Sequence, residues 1–161
     1  MNRVLGWDLL RGLCALAVGV YHLSMWLEVG HFYAFGSYGV YIFFVLSGAS
    51  LMYTYGAALE EGRFRFWGFL LSRYIRLAPL YVLLMFLVLP WKVVKEGADP
   101  ALLGKFLLNV SFVFGFFDPS VSSMLIGGWS LGVEAVFYLC FPVFGLVILK
   151  RRVFWIALLL L

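Results

Sequence analysis

Arg11, His22, Lys105 and Glu134 each interrupt a run of apolar residues. An ionisable group in such a run costs roughly 2.5–3.5 kcal/mol to insert into a bilayer, so its presence points to a use. Imidazole titrates near neutrality and can take a proton from a hydroxyl, which makes His22 a candidate general base. Arg11 lies eleven positions earlier. On a helix that is about three full turns, so both face one side, roughly 16 Å apart along the axis. They cannot touch, but they could line one path, with Arg11 at its mouth and His22 deep within. The plainer alternative makes Arg11 a charge anchor and His22 a hydrogen-bonder between helices. Arg73 and Arg76 share a helix face, where two guanidiniums could clamp a phosphate or carboxylate. Juxtamembrane arginines also bind lipid head groups and set topology, which is the reading for Arg63 and Arg65. Glu134, five residues after Trp129, needs a partner if it is to stay charged. Trp129 reads first as an interfacial belt residue and Ser130 as a hydroxyl bonded to its own backbone. Ser47 and Gly48 read as a small-residue site where helices approach closely, and Lys105 as a snorkelling lysine. Glu28 and His31 fall in a loop and carry no sharp signal.

The elements that must position these groups follow from composition. Of 161 residues, 65% are hydrophobic and 12% charged, against about 25% charged in soluble domains. That excludes a water-soluble globular domain and a disordered tail; the solvent of this chain is lipid. A net charge of +4 then reports on loop orientation, not on nucleic-acid binding. The fold class is all-α: a polytopic transmembrane helix bundle with about five spans and a truncated sixth. The expected spans are 9–27, 36–55, 77–94, 101–117 and 129–149, with a nine-residue stub at 153–161. Arg11 and His22 interrupt the first run and no small-x-small site follows it, so it reads as a span and not as a cleaved signal peptide. Pro79 is expected in the first turn of the third span, where a missing N–H does little harm. A charged link covers 56–76, and Lys150, Arg151 and Arg152 are expected to stop the fifth helix.

Four arginines in the link place it, and the N-terminus with Arg3 and Arg11, in the cytoplasm. If segment 101–117 spans fully, the Lys150–Arg152 cluster falls outside, against that rule. If the segment is re-entrant or interfacial, the cluster returns inside; its short length and Lys105 favour this second option. Cys14 and Cys140 read as small apolar packing residues. No metal site is expected from the spacing of two His and two Cys, and no Gly-rich phosphate loop is present.

Four motifs in order resemble the acyltransferase 3 family of integral membrane O-acyltransferases. They are Asp8-Leu9-Leu10-Arg11-Gly12-Leu13 with Tyr21-His22; Gly39-Val40 with Phe43-Phe44-Val45-Leu46-Ser47-Gly48; Arg73-Tyr74-Ile75-Arg76 with Pro79 and Tyr81; and Trp129-Ser130-Leu131 with Glu134 and Phe137-Tyr138. Tyr41, Ala49 and Ala135 depart from the family pattern. Ala135 stands where a second acidic residue often follows Glu134. The family's membrane domain has about ten spans, so residues 1–161 look like the N-terminal part of one such domain, with further C-terminal helices completing it.

The resemblance implies transfer of an acyl group, acetyl above all, from acyl-CoA to a hydroxyl of a cell-surface carbohydrate or lipid-linked glycan. Acyl-CoA would be a co-substrate, with no tightly bound cofactor and no nucleic-acid partner. His22 would be the catalytic base, and Glu134 would pair with an arginine or shape the acceptor site. Arg11, Arg73 and Arg76 would hold the donor, while Ser47, Gly48, Trp129 and Ser130 would be structural motif residues. The location implied is the bacterial inner membrane. Two rivals stand beside this reading: an exporter subunit using the same buried charges as a substrate or proton path, and an inactive fragment whose polar groups face lipid.

Overall fold

The computed structural model describes residues 4–30, 32–97 and 99–159; Arg3, His31 and the Arg152 side chain lie outside what it describes. The described residues form helices α1 (Leu5–Trp26), α2 (Tyr33–Glu60), α3 (Phe66–Glu96), α4 (Pro100–Val110), a 3₁₀ turn (Val113–Phe116), a one-turn α5 (Pro119–Ser122) and α6 (Trp129–Leu159). They fall into two compact units, residues 1–63 and 64–161.

The first unit is an antiparallel pair, α1 against α2. Trp7 meets Tyr53 edge-on at 5.5 Å at one end, and Tyr21 lies 5.9 Å from Tyr33 at the other. Between them the helices approach closely because Gly39 has no side chain. A Cβ there would lie 2.7 Å from Val18 Cγ2 and 3.2 Å from the Cys14 carbonyl, a contact of the small-residue kind used in membranes. Cys14 is buried in this packed stripe, as a small apolar residue should be. The second helix ends in a Schellman motif. Gly62 is left-handed at φ +68°, its N–H bonds the Leu59 carbonyl, and the Arg63 N–H bonds the Ala58 carbonyl.

In the second unit, α3 and α6 run antiparallel. Phe69 packs on Phe141 at 5.5 Å and Tyr138 at 6.1 Å near the start of α3. Twelve residues further along α3, the Tyr81 hydroxyl lies 3.1 Å from where a Gly128 Cβ would be. Between these helices the chain folds back on itself. Asp99 and Asp118 each cap a helix beginning with proline, accepting from Ala101 N–H at 2.8 Å and Ser120 N–H at 3.0 Å. Phe112, at φ 60°, turns the chain out of α4 so that Phe114 becomes fully buried against Tyr81. Gly115 passes the backbone of Gly132 so closely that a Cβ would stand 3.0 Å from the Gly132 Cα. The core gathers Ala78, Tyr81, Met85, Leu102, Phe106, Phe112, Phe114 and Met124.

Several expectations need correcting. Among the described residues, four helices, not five, are long and apolar enough to cross a membrane. Segment 101–117 is an 11-residue helix and a 3₁₀ turn; about 16 Å of helix cannot cross a core of about 30 Å. The stub at 153–161 is not a separate sixth span. Helix α6 runs through Lys150 and Arg151 to Leu159, because lysine and arginine are good helix formers and nothing there breaks the ladder. The link shortens to residues 61–65, since α3 begins at Phe66 and already carries Arg73 and Arg76. Pro79 is therefore inside the helix, where membrane helices tolerate proline because neighbours satisfy the freed carbonyl.

The antiparallel course of α6 also settles where its basic end emerges. Phe141 packs beside Phe64 and Phe69, and Lys150 and Arg151 follow about two and a half to three helical turns later. They leave at the end of the unit that holds Arg65. The re-entrant option for 101–117 is the one that brings these basic groups to one end.

Candidate functional site

In the first unit, the packed stripe of α1 carries Trp7, Arg11, Cys14, Val18 and Tyr21, at the three- and four-residue steps that keep one face. Arg11 extends from the edge of this stripe to α2. Its Nη2 donates to Ser50 Oγ at 2.9 Å and to the Leu46 carbonyl at 3.4 Å. Its Nη1 reaches Asp8 Oδ1 at 3.4 Å, with the two side chains 25% and 44% exposed. Ser50 gives its own proton to the Ser47 carbonyl at 3.0 Å, which leaves its lone pairs for the guanidinium. Arg11 is thus tied across a helix pair, its 2.9 Å bond to Ser50 being one from a charged donor, worth about 1.5–3 kcal/mol.

His22 lies just beyond the Arg11 edge of this stripe and is exposed, its ring 5.0 Å from that of Tyr21. The enclosure expected for it is not made by α1 and α2, whose contact uses the neighbouring stripe. Arg11 and His22 do share a side of α1, as their spacing predicts. Ser47 and Gly48 are half-buried on α2, and Ser47 contributes its carbonyl to the Arg11 network. Sequence reasoning missed Ser50; its signal is a hydroxyl one turn beyond Ser47 in an apolar helix.

In the second unit, Glu134 and Tyr138 are one turn apart on α6, and the Tyr138 hydroxyl donates to Glu134 Oε1. Tyr138 is buried and Glu134 half-buried. Trp129 and Ser130 open the same helix, and the Ser130 hydroxyl donates to the Gly127 carbonyl at 2.9 Å, the backbone bond expected of it. Arg73 is half-buried, its guanidinium 5.8 Å from the centre of the Phe69 ring. Arg76 is exposed. Arg73 and Tyr138 line one apolar cleft of about 220 Å³, together with Tyr74, Leu77, Phe112 and Ala135. Arg76 and Glu134 are not among its lining residues. The pair of arginines therefore divides, one to the cleft and one to the outside of α3.

The wall of the cleft formed by Phe112 depends on Asn109, near the end of α4. Asn109 is fully buried. Its Oδ1 accepts from Tyr81 Oη at 2.7 Å and from the Met124 N–H at 3.0 Å. Its Nδ2 donates to the carbonyls of Lys105 at 2.8 Å and Ser122 at 2.9 Å. Lys105 does not simply snorkel: its Nζ donates to the Val121 carbonyl at 2.9 Å. These bonds tie the end of α4 to α5, which is how a non-spanning segment satisfies its backbone among apolar helices.

Comparison with known proteins adds a second line. The model of the family described as "Acyltransferase domain" matches residues 4–161. The chain is 34% identical to the peptidoglycan O-acetyltransferase OatA of Listeria monocytogenes, over 89% of this chain and 24% of that protein. It is 33% identical to YrhL of Bacillus subtilis, over 91% of this chain and 25% of that protein. Its identity to the acyltransferase MdmB of Streptomyces mycarofaciens is 31%, over 92% of this chain and 41% of that protein. The chain thus spans about a quarter of the length of the first two relatives. No solved structure matches it.

Proposed function

This chain belongs to the acyltransferase domain family and is an integral membrane protein, and from that premise we propose that it forms the N-terminal part of an O-acyltransferase acting at the bacterial inner membrane. The reaction is transfer of an acetyl group from acyl-CoA to a hydroxyl of a cell-wall carbohydrate. OatA, matched over most of this chain, is named for acetylation of peptidoglycan, and that supports the acceptor class.

The observation that carries the reading lies on α1. Arg11 is held by Ser50 and Asp8, and His22 follows it on the same side of the helix, roughly 16 Å further along. A sugar hydroxyl is a weak nucleophile until its proton is removed. His22 takes that proton on an imidazole nitrogen. The freed oxygen attacks the thioester carbonyl, the carbon–sulfur bond breaks, and the thiolate leaves on the donor and recovers the proton. The fixed guanidinium of Arg11 suits an anionic phosphate of the donor, and the distance between the two groups suits a slender arm joining phosphate to thioester. Exposure of His22 on its helix pair is what such a role requires, since a base must be reachable by its substrate. Arg65, Lys150 and Arg151 share one end of the second unit, which by the positive-inside rule is cytoplasmic, the compartment that supplies acyl-CoA.

The test uses the full-length protein in membranes, with labelled acetyl-CoA and peptidoglycan fragments as acceptor. His22→Ala should lower transfer by about 10²–10⁴-fold, the usual contribution of a general base, with an unchanged elution profile. Wild-type turnover by that variant would overturn the role.

A further inference from the structure

A base works only when its nitrogen is directed at the proton it removes. His22 is exposed, so the packing of α1 on α2 does not fix its direction by enclosure. Its neighbour in the chain offers another means. Successive positions on a helix point about 100° apart, and side chains at such positions do not face each other of themselves. Tyr21 and His22 nevertheless meet, their ring centres 5.0 Å apart and their planes at 54°. Both side chains are therefore turned into the space between them.

The placing of Tyr21 comes from α2. Gly36 is buried on that helix, and a Cβ there would stand 2.6 Å from Tyr21 Cγ and 2.8 Å from Cε1. The tyrosine ring thus occupies the room that a side chain at position 36 would need, and it lies against bare backbone. One turn earlier on α2, Tyr33 meets the same ring at 5.9 Å and 53°. A ring seated on one helix and braced by a second aromatic is a fixed surface, and it is the surface that the His22 imidazole leans on.

We infer that Tyr21 is a positioning residue for His22, and that α2 sets the direction of the imidazole through the seat at Gly36. This rests on the reading of His22 as the base. Tilted aromatic pairs are favoured by a factor of about two to ten beyond the area they bury, enough to make one direction of an otherwise exposed ring the major one. Loss of the Tyr21 ring therefore slows the proton transfer and leaves donor binding alone, since Arg11 lies roughly 16 Å away along α1.

The experiment uses the full-length protein in membranes with labelled acetyl-CoA and peptidoglycan fragments, and resolves kcat from the KM of each substrate. Tyr21→Leu keeps an apolar side chain in the packed stripe and removes the ring. It should lower kcat by about two- to tenfold, with both KM values and the elution profile unchanged. Tyr21→Phe, which keeps the ring, should recover most of that loss. Gly36→Ala crowds the ring from α2 and should lower kcat in the same way; it supplies the reading if Tyr21→Leu does not fold. Added to His22→Ala, Tyr21→Leu should have no further effect, because its action passes through the imidazole. A wild-type kcat in Tyr21→Leu or in Gly36→Ala would overturn the inference. So would a Tyr21→Phe enzyme as slow as Tyr21→Leu, a raised KM at unchanged kcat, or a further loss in the double variant. If His22→Ala is inactive while Tyr21→Leu turns over as wild type, the positioning falls and the base stands; if His22→Ala itself turns over as wild type, both fall.

Discussion

Replacing Asn109 by leucine tests the claim that one buried amide holds the re-entrant segment in place. The change keeps the branched four-atom shape of the side chain and removes all four hydrogen bonds, to Tyr81, Met124, Lys105 and Ser122. Their worth is unequal. The Lys105 carbonyl is four residues back on α4 and keeps its helical partner, so it loses little. The Met124 N–H lies in irregular backbone and the Ser122 carbonyl at the end of one-turn α5, and Asn109 bonds both. Leaving two such groups unsatisfied costs about 1–3 kcal/mol each. Tyr81 loses its acceptor but its hydroxyl lies at the Gly128 turn, so its loss is nearer the net value of about 1 kcal/mol. The total is about 3–7 kcal/mol, which lowers the folding equilibrium of this unit by about two to five powers of ten. Thermal unfolding of the full-length protein in detergent, followed by tryptophan fluorescence and by proteolysis within 111–128, reads it out. Tyr81→Phe should cost about 1 kcal/mol alone and almost nothing further in the Asn109→Leu background, because the two side chains share a bond. If Asn109→Leu unfolds at the wild-type temperature with an uncut 111–128 segment, the assignment of Asn109 as the anchor is wrong.

Gly39→Ala places a methyl 2.7 Å from Val18 Cγ2 and 3.2 Å from a Cys14 carbonyl that cannot rotate away. It should destabilise the α1–α2 pair by about 1–3 kcal/mol, measured as a lower unfolding midpoint, whereas Gly104→Ala, with open space around it, should not. Asp118 is held below the ordinary carboxylate value of 3.8 by the Ser120 hydroxyl and then by the Ser120 N–H. A depressed folded-state value means that this cap contributes fully above the unfolded value and is lost as pH falls through the folded one. Asp118→Asn should therefore remove a small acid-side slope below about pH 4 in the unfolding midpoint and leave neutral pH nearly unchanged; an unaltered acid slope would contradict the cap.

How far the fold was legible depended on how local each feature is. The long apolar runs and their approximate ends could be read directly, because a helix in lipid is dictated by a continuous apolar stretch. So could the common side of Arg11 and His22; the Glu134–Tyr138 bond, which one-turn spacing permits, is a finding of the structure. The helices extend past the charges that interrupt the apolar runs. Arg73, Arg76, Lys150 and Arg151 all sit on continuous helix, because charged residues interrupt hydropathy without interrupting the backbone ladder.

Sequence alone determined the solvent of this protein, its helical class and the identities of the polar groups at membrane depth, since each of these rests on composition or on a period of 3.6 residues. Which of those groups meet was decided by the tertiary structure. Arg11 finds Ser50 39 positions away, Asn109 collects backbone groups from 13 and 15 residues downstream, and Arg73 joins a cleft whose opposite wall is α6. Such contacts depend on how close helices can approach and on where a chain turns back, and those in turn depend on glycines, caps and buried hydrogen bonds acting together across segments, which no window along the chain contains.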